Sequence, residues 1–232
     1  MEPGLKLSKS MAPTIPDEIA QMKSVPYASA VRSLMYLVVA TRPDIVYTVR
    51  VLCRFTQDLG ITHWKAVKHF FRYLKGTQDY NLTFSPTTSC KPFQAYSDAD
   101  HAGNVDNRKS TSGYLIKIGS VAISWSSKLQ PVVALSTMEA EYIAAVHAGK
   151  EVIWFQQFLT ELGVTLNSPS TLQIDNQSAI AISKNPEHHR RMKHLDLCFF
   201  WLRDEVEKGA ITPTIIPTTE MAADLLTNHL IV

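Results

Sequence analysis

The chain of 232 residues and 26.0 kDa has room for one large domain, or for one ordinary domain with a helical appendage. Hydrophobic residues at 45% and charged residues at 19% exclude a largely disordered chain, and nine Gly with twelve Pro exclude collagen-like or low-complexity material. The net charge of +2 hides an asymmetry: residues 1–91 carry 12 Lys and Arg against 6 Asp and Glu, while residues 92–232 carry 11 against 15. A basic half joined to an acidic half fits a polyanion partner and a site built from carboxylates, or equally two differently solvated surfaces. The longest apolar run, Val31 to Ala40, contains Arg32 and is about half the length that a bilayer crossing needs. No basic stretch leading into an apolar one opens the chain, so neither secretion nor contact with a membrane is expected. Cys53, Cys90 and Cys198 are far apart and odd in number, which predicts no disulfide framework and an intracellular, reducing compartment, cytoplasmic or nuclear.

Residues 1–24 have no apolar period and three prolines, and read as a flexible lead-in. From Tyr27 the pattern turns helical: Val31, Leu34, Met35, Val38 and Val39 share a face, and the run stops before Arg42-Pro43. Pro43 suits the first turn of a second helix with Ile45, Val46, Val49, Leu52 and Phe55 inside. Thr62 can cap a third, running through Trp64, Val67, Phe70, Phe71 and Leu74 to Gly76. The period then changes to 2. Residues 81–84, 93–96, 112–118 and 121–125 alternate like strands, the last two joined by the turn pair Gly119-Ser120. A long helix is expected from Ser136 to about Leu162, then a strand at 172–175, a short helix at 176–184, a helix from about Met192 to Lys208, a strand at 211–216 and a terminal helix from Thr219. This order describes a mixed α/β sheet with helices on its faces. Trp64, Trp125, Trp154 and Trp201 sit among apolar residues and read as core.

Four acids stand where a strand ends or a helix begins: Asp98, Glu141, Asp175 and Asp224. Carboxylates that converge raise one another's pKa and are stable together only around a cation or a proton. Hard oxygen donors without a nearby cysteine favour Mg²⁺ or Mn²⁺, and two such ions can activate a water and stabilise the leaving oxygen in phosphodiester cleavage. Taken singly, each acid is more often a solvated one. Glu139 is separated from Glu141 by its setting, because Ser136-Thr137-Met138-Glu139 has the form of a capping box. Glu141, flanked on its own face by Ala144, Ala145 and Ala148, is left free for the site.

Several segments carry a resemblance in order. Tyr96-Ser97-Asp98-Ala99-Asp100-His101-Ala102-Gly103, Ser110-Thr111-Ser112-Gly113-Tyr114, Ser124-Trp125-Ser126-Ser127-Lys128, the run from Val133 to Tyr142, Asp175-Asn176-Gln177-Ser178-Ala179-Ile180, His188-His189-Arg190 and Ala223-Asp224-Leu225-Leu226-Thr227 resemble the ribonuclease H domain of copia-type retrotransposon Pol polyproteins. Arg32-Ser33-Leu34-Met35-Tyr36, Thr41-Arg42-Pro43-Asp44-Ile45 and Arg72-Tyr73-Leu74-Lys75-Gly76-Thr77 resemble the end of the reverse transcriptase of the same elements, a thumb- or connection-like segment. The resemblance implies three parts: a lead-in at 1–24, a helical end of reverse transcriptase at 25–91, and a ribonuclease H-like domain at 92–232. That domain would be a mixed five-stranded sheet flanked by helices. It further implies endonucleolytic hydrolysis of the RNA strand of RNA–DNA hybrids with two Mg²⁺ or Mn²⁺ ions, leaving 5′-phosphate and 3′-hydroxyl ends, beside a reverse transcriptase or other Pol components. Asp98, Glu141, Asp175 and Asp224 would be catalytic metal ligands, with Asp100 a weaker candidate better read as a surface acid. No Asp-Asp pair occurs in the chain, so polymerase activity is not expected. Cellular ribonucleases H often place a histidine on a loop before the last aspartate; here that position is Thr214, and no histidine lies between His194 and Asp224. The alternatives are a catalytically silent relic that binds nucleic acid or is purely structural, and an integrase, whose last acid would be Glu207.

His188, His189, His194 and Cys198 could be mistaken for a zinc set, but Arg190, Arg191 and Lys193 would repel a cation. With Lys184 they read better as a phosphate-contacting patch, or else as a solvated helix entry. Lys65, Lys68, Arg72 and Lys75 recur at spacings of three to four and could track a hybrid backbone, or simply form a solvated helix face.

Overall fold

The computed structural model describes residues 5–84, 93–166, 169–184 and 196–228. The chain divides into two compact units, one made of Met1–Leu82, Asn104–Arg108 and Asn228–Val232, the other of Thr83–Gly103 and Lys109–Thr227. Among the described residues no helix is long and apolar enough to cross a membrane.

The first unit is helical: α1 (Pro16–Lys23), α2 (Tyr27–Ala40), α3 (Val46–Cys53) and α4 (Ile61–Gly76). The expected lead-in therefore contains a helix. Pro16 opens it, Asp17 and Glu18 lie in its first turn and Lys23 in its last, each complementing the helix dipole. Leu7 and Met22 are buried as well. On α2 the apolar face is narrower than the spacing suggests: Tyr27, Val31 and Leu34 are buried, whereas Met35 and Val39 are exposed. Ile45, Val46, Val49, Leu52 and Phe55 are all buried as expected. Thr62 does not cap α4, which begins at Ile61; the Gly60 N–H instead donates to His63 Nδ1 at 2.9 Å. Phe71 is exposed, so the inner face of α4 is Ala66, Val67 and Phe70.

The second unit is a five-stranded mixed sheet flanked by helices, with β1 (Gln94–Ala99), β2 (Thr111–Ile118), β3 (Val121–Leu129), β4 (Ser170–Ile174) and β5 (Ile211–Ile215) in the order β3-β2-β1-β4-β5. β1 is antiparallel to β2 and parallel to β4, β3 is antiparallel to β2, and β5 is parallel to β4. The β2–β3 hairpin turns at Gly119, whose φ of 59° suits a residue without a side chain. Pro213 is tolerated because β5 is an edge strand. Residues 81–84 form no strand; Phe84 is exposed, so their alternation buries nothing.

α5 (Thr137–Glu161) crosses the sheet, and Ala144, Ala145, Ala148, Val152 and Phe155 along it join Ala95, Ile116, Leu172 and Ile174 in the core. α6 (Gln177–Lys184) and α7 (Asp196–Glu207) complete the helical layer. The close approach of α7 requires Gly149, where a Cβ would come within 3.1 Å of Leu202 and 3.2 Å of Trp201. Trp154 is an exception to the core reading: it is 54% exposed and stacks on Phe158. The terminal helix is not α-helical. Pro217 precedes a 3-10 turn at Thr218–Glu220, Met221 is extended and buried, and a second 3-10 turn covers Ala222–Leu226. Burial of Met221, Ala223 and Leu226 overrides a regular helix there.

Candidate metal centre

Three elements bring acids together at one end of the central strands. Asp98 lies inside β1 rather than past its end, and is buried. Asp175 follows the last residue of β4 and is half-buried; its Oδ2 accepts from the Thr218 hydroxyl at 3.1 Å. Glu141 is buried near the start of α5, where its Oε1 accepts from the Ala99 N–H at 3.3 Å. One oxygen from each of Asp98, Glu141 and Asp175 lies within 4.8 Å of the others. The other oxygen of Glu141, Oε2, is buried with no hydrogen-bond partner.

The electrostatics follow from crowding. Burial raises the Asp98 carboxyl to about 7, a donated bond from the Thr227 hydroxyl lowers it, and Asp224 and Asp175 raise it further. Burial raises Glu141 to about 9, reinforced by Asp98 and Asp175. Among the described residues no cationic side chain contributes to either shift. Asp224, on the last 3-10 turn, is half-buried and stands outside the three-way group, yet it is coupled to it. Its carboxyl is raised by burial and by Asp175, and eased by a hydrogen bond with Asp98. Protons, or a hard cation, are what such a set can hold without mutual repulsion. A divalent ion fits the oxygen-only donor set and would give the orphaned Glu141 Oε2 a partner.

The remaining candidates separate cleanly. Glu139 is buried and serves the helix start: its N–H donates to Ser136 Oγ at 3.2 Å and its Oε2 accepts from the Leu135 N–H at 2.8 Å. Asp100 is not a surface acid, because it is half-buried and its Oδ1 accepts from the Thr111 N–H at 2.5 Å. Glu207 is exposed at the end of α7, paired with Arg203 at 3.2 Å, and does not join the acids. Thr214 is a β5 residue opposite Gln173. Lys65, Lys68, Arg72 and Lys75 lie exposed on α4 in the first unit. Cys90, His188, His189, Arg190, Arg191, Lys193, His194 and the Cys198 side chain fall outside the described residues. Sequence reading passed over Thr227 and Gly113 as site residues. Both occur in segments that carried the resemblance, and a glycine in mid-strand was the available signal.

No family model matches the chain. A retrovirus-related Pol polyprotein from transposon TNT 1-94 of Nicotiana tabacum is 49% identical over 223 residues, 96% of this chain. The chain belongs to the copia-type retrotransposon Pol polyproteins. It spans 17% of the length of the tobacco polyprotein. The copia-type chain is also 50% identical over 133 residues to a secreted RxLR effector protein 161 of Plasmopara viticola, 57% of this chain and 93% of that protein. Among solved structures, LC11-RNase H1 isolated from compost is similar with a TM-score of 0.44 and 17% identity, covering 58% of this chain and 91% of that one.

Proposed function

We propose that this copia-type fragment hydrolyses the RNA strand of RNA–DNA hybrids endonucleolytically, in a reaction dependent on two Mg²⁺ or Mn²⁺ ions. The observation that carries the reading is the convergence of Asp98, Glu141 and Asp175 from β1, α5 and the end of β4, two of them buried with no neutralising cation among the described residues. Asp98, Glu141 and Asp175 would hold the ions, with Asp224 completing the set from the last 3-10 turn. When bound, divalent ions of this kind activate a water and stabilise the oxygen that leaves phosphorus. The chain's own part is to fix the donors. The Ala99 N–H pins Glu141 Oε1, and the Thr218 hydroxyl pins Asp175 Oδ2. Burial keeps the carboxylates away from competing water, where their field on a cation is strongest. Residues 25–91 we assign to the end of a reverse transcriptase, with the remaining Pol components as partners. The exposed row Lys68, Arg72 and Lys75 is a candidate contact with the hybrid backbone, which carries no sequence information.

Incubation of a strand-labelled RNA–DNA hybrid with the protein in Mg²⁺ or Mn²⁺, wild type beside Asp175→Asn, tests the reading. Cleavage confined to the RNA strand and lost in the variant is the expected result. Hybrid binding without cleavage in either ion would overturn it in favour of a silent nucleic-acid-binding relic.

A further inference from the structure

The segment from Ala223 to Thr227 packs on β1 and β2, and on β2 it lies against a glycine. Gly113 lies in β2 directly opposite Asp98 in the antiparallel register. A Cβ at Gly113 would stand 2.8 Å from Leu226 Cβ, 2.9 Å from Thr227 Cγ2 and 3.3 Å from the Ala223 carbonyl oxygen. Real side chains do not approach so closely, so only a glycine admits this packing. Glycine in a strand interior costs conformational entropy and contributes no packing of its own, and close approach of another backbone is the usual compensation. Ala223, Leu226 and Thr227 are each fully buried on that seat.

The seat brings a hydroxyl to the acids. Thr227 Oγ1 donates to Asp98 Oδ2, and the same oxygen lies 3.2 Å from the Asp224 carbonyl. Thr227 thus stands between a buried carboxylate and the turn that carries the fourth acid. A carboxylate's terminal torsion is soft and roughly two-fold, and to the backbone hydrogen bond at Ala99 and the one with Asp224 the Thr227 hydroxyl adds a further hold on the Asp98 oxygens. A donor held on one oxygen fixes that torsion and leaves the other oxygen to a ligand.

We infer that Thr227 is a positioning residue of the carboxylate centre, seated by Gly113, whose hydroxyl orients Asp98 for the divalent ion. This rests on the metal-centre reading above. It assigns Thr227 a job distinct from binding: the hydroxyl touches neither ion nor substrate and acts through Asp98. Removal of a hydrogen bond that orients a metal ligand typically weakens ion binding by about 10- to 100-fold.

The test is calorimetric titration of the full chain with Mn²⁺, comparing wild type, Thr227→Val, Thr227→Ser and Asp175→Asn, with melting curves in EDTA as the control for folding. Valine keeps the volume that fills the seat and removes the hydroxyl, while serine keeps the hydroxyl. The expected result is a loss of Mn²⁺ affinity of about tenfold or more in Thr227→Val and recovery to near wild type in Thr227→Ser. Wild-type affinity in Thr227→Val, alongside a loss in Asp175→Asn, would overturn the role of Thr227 and leave the metal centre standing. Equal loss in the valine and serine variants would also overturn it, since the methyl packing rather than the hydroxyl would then be at work. Undiminished Mn²⁺ uptake in Asp175→Asn, or none in wild type, would remove the metal-centre reading and this inference with it.

Discussion

Replacing Glu141 by glutamine keeps the side-chain shape and removes the titrating group, so its effect on the metal-free protein should depend steeply on pH. Burial, reinforced by Asp98 and Asp175, lifts the Glu141 carboxyl from 4.5 to about 9. The unfolded chain ionises this group near 4.5, so at pH 7 the folded state must retain a proton that the unfolded state has released. At about 1.4 kcal/mol per pH unit between 4.5 and 7, retention costs the folded state about 3 kcal/mol. Because the folded pKa is raised, the cost is absent below 4.5 and grows as pH rises towards 9. Glu141→Gln should therefore gain about 3 kcal/mol on wild type at pH 7, relative to the difference the two show at pH 4. Urea denaturation in EDTA at both pH values measures this directly. A stability difference independent of pH would refute the account of Glu141 as a buried acid destabilised by its neighbours. Saturating Mg²⁺ should stabilise wild type and leave the variant nearly unchanged.

Two further outcomes concern the first unit. Arg42 is buried and forks onto Asp44 with Nε and Nη2 at 2.8 and 2.7 Å, while Nη1 and Nη2 reach the Thr77 carbonyl and hydroxyl at 3.1 and 2.8 Å. A lysine carries one point charge and cannot make this fork, so Arg42→Lys should cost about 2–3 kcal/mol in urea denaturation, and a loss under about 0.5 would contradict the geometry. The His63 imidazole is held below its ordinary 6.5, chiefly by burial, against the Ser8 carbonyl and the charges of Asp106 and Asp58, which raise it. Its neutral form accepts the Gly60 N–H, so stability should be intact above pH 6.5 and fall as pH drops below it. A melting series from pH 7.5 to 5 on wild type and His63→Gln checks this: the downward slope should flatten in the variant.

How much of this was legible depends on the range over which each feature is determined. The 3.6-residue period and capping of α5 placed it within a residue at each end, and its Ser136–Glu139 signal told the two glutamates apart before any fold was known. The run at 81–84 misled because alternation is necessary for a half-buried strand but does not supply a partner. Asp98 was expected at the end of a strand and lies within one, since β1 continues to Ala99 by pairing with Ser112 of β2. The last segment looked helical by period, and its extended Met221 reflects what the sheet offers to bury, which no local window contains.

The sequence by itself determined α2 to α6, the β2–β3 turn at Gly119 and which acids stand near strand ends and helix starts, though not α1, because backbone sterics and apolar periodicity act between near neighbours. Only the tertiary structure decided that Asp98, Glu141 and Asp175 meet within 4.8 Å, that Asp224 stands beside rather than among them, and that Thr227 reaches Asp98 across 129 residues of chain. Such meetings are fixed by which strands pair and in what register, and by whether a position such as Gly113 leaves room for another backbone. Those conditions belong to the packed sheet and helices, where burial energy selects among arrangements that local preferences leave equally open.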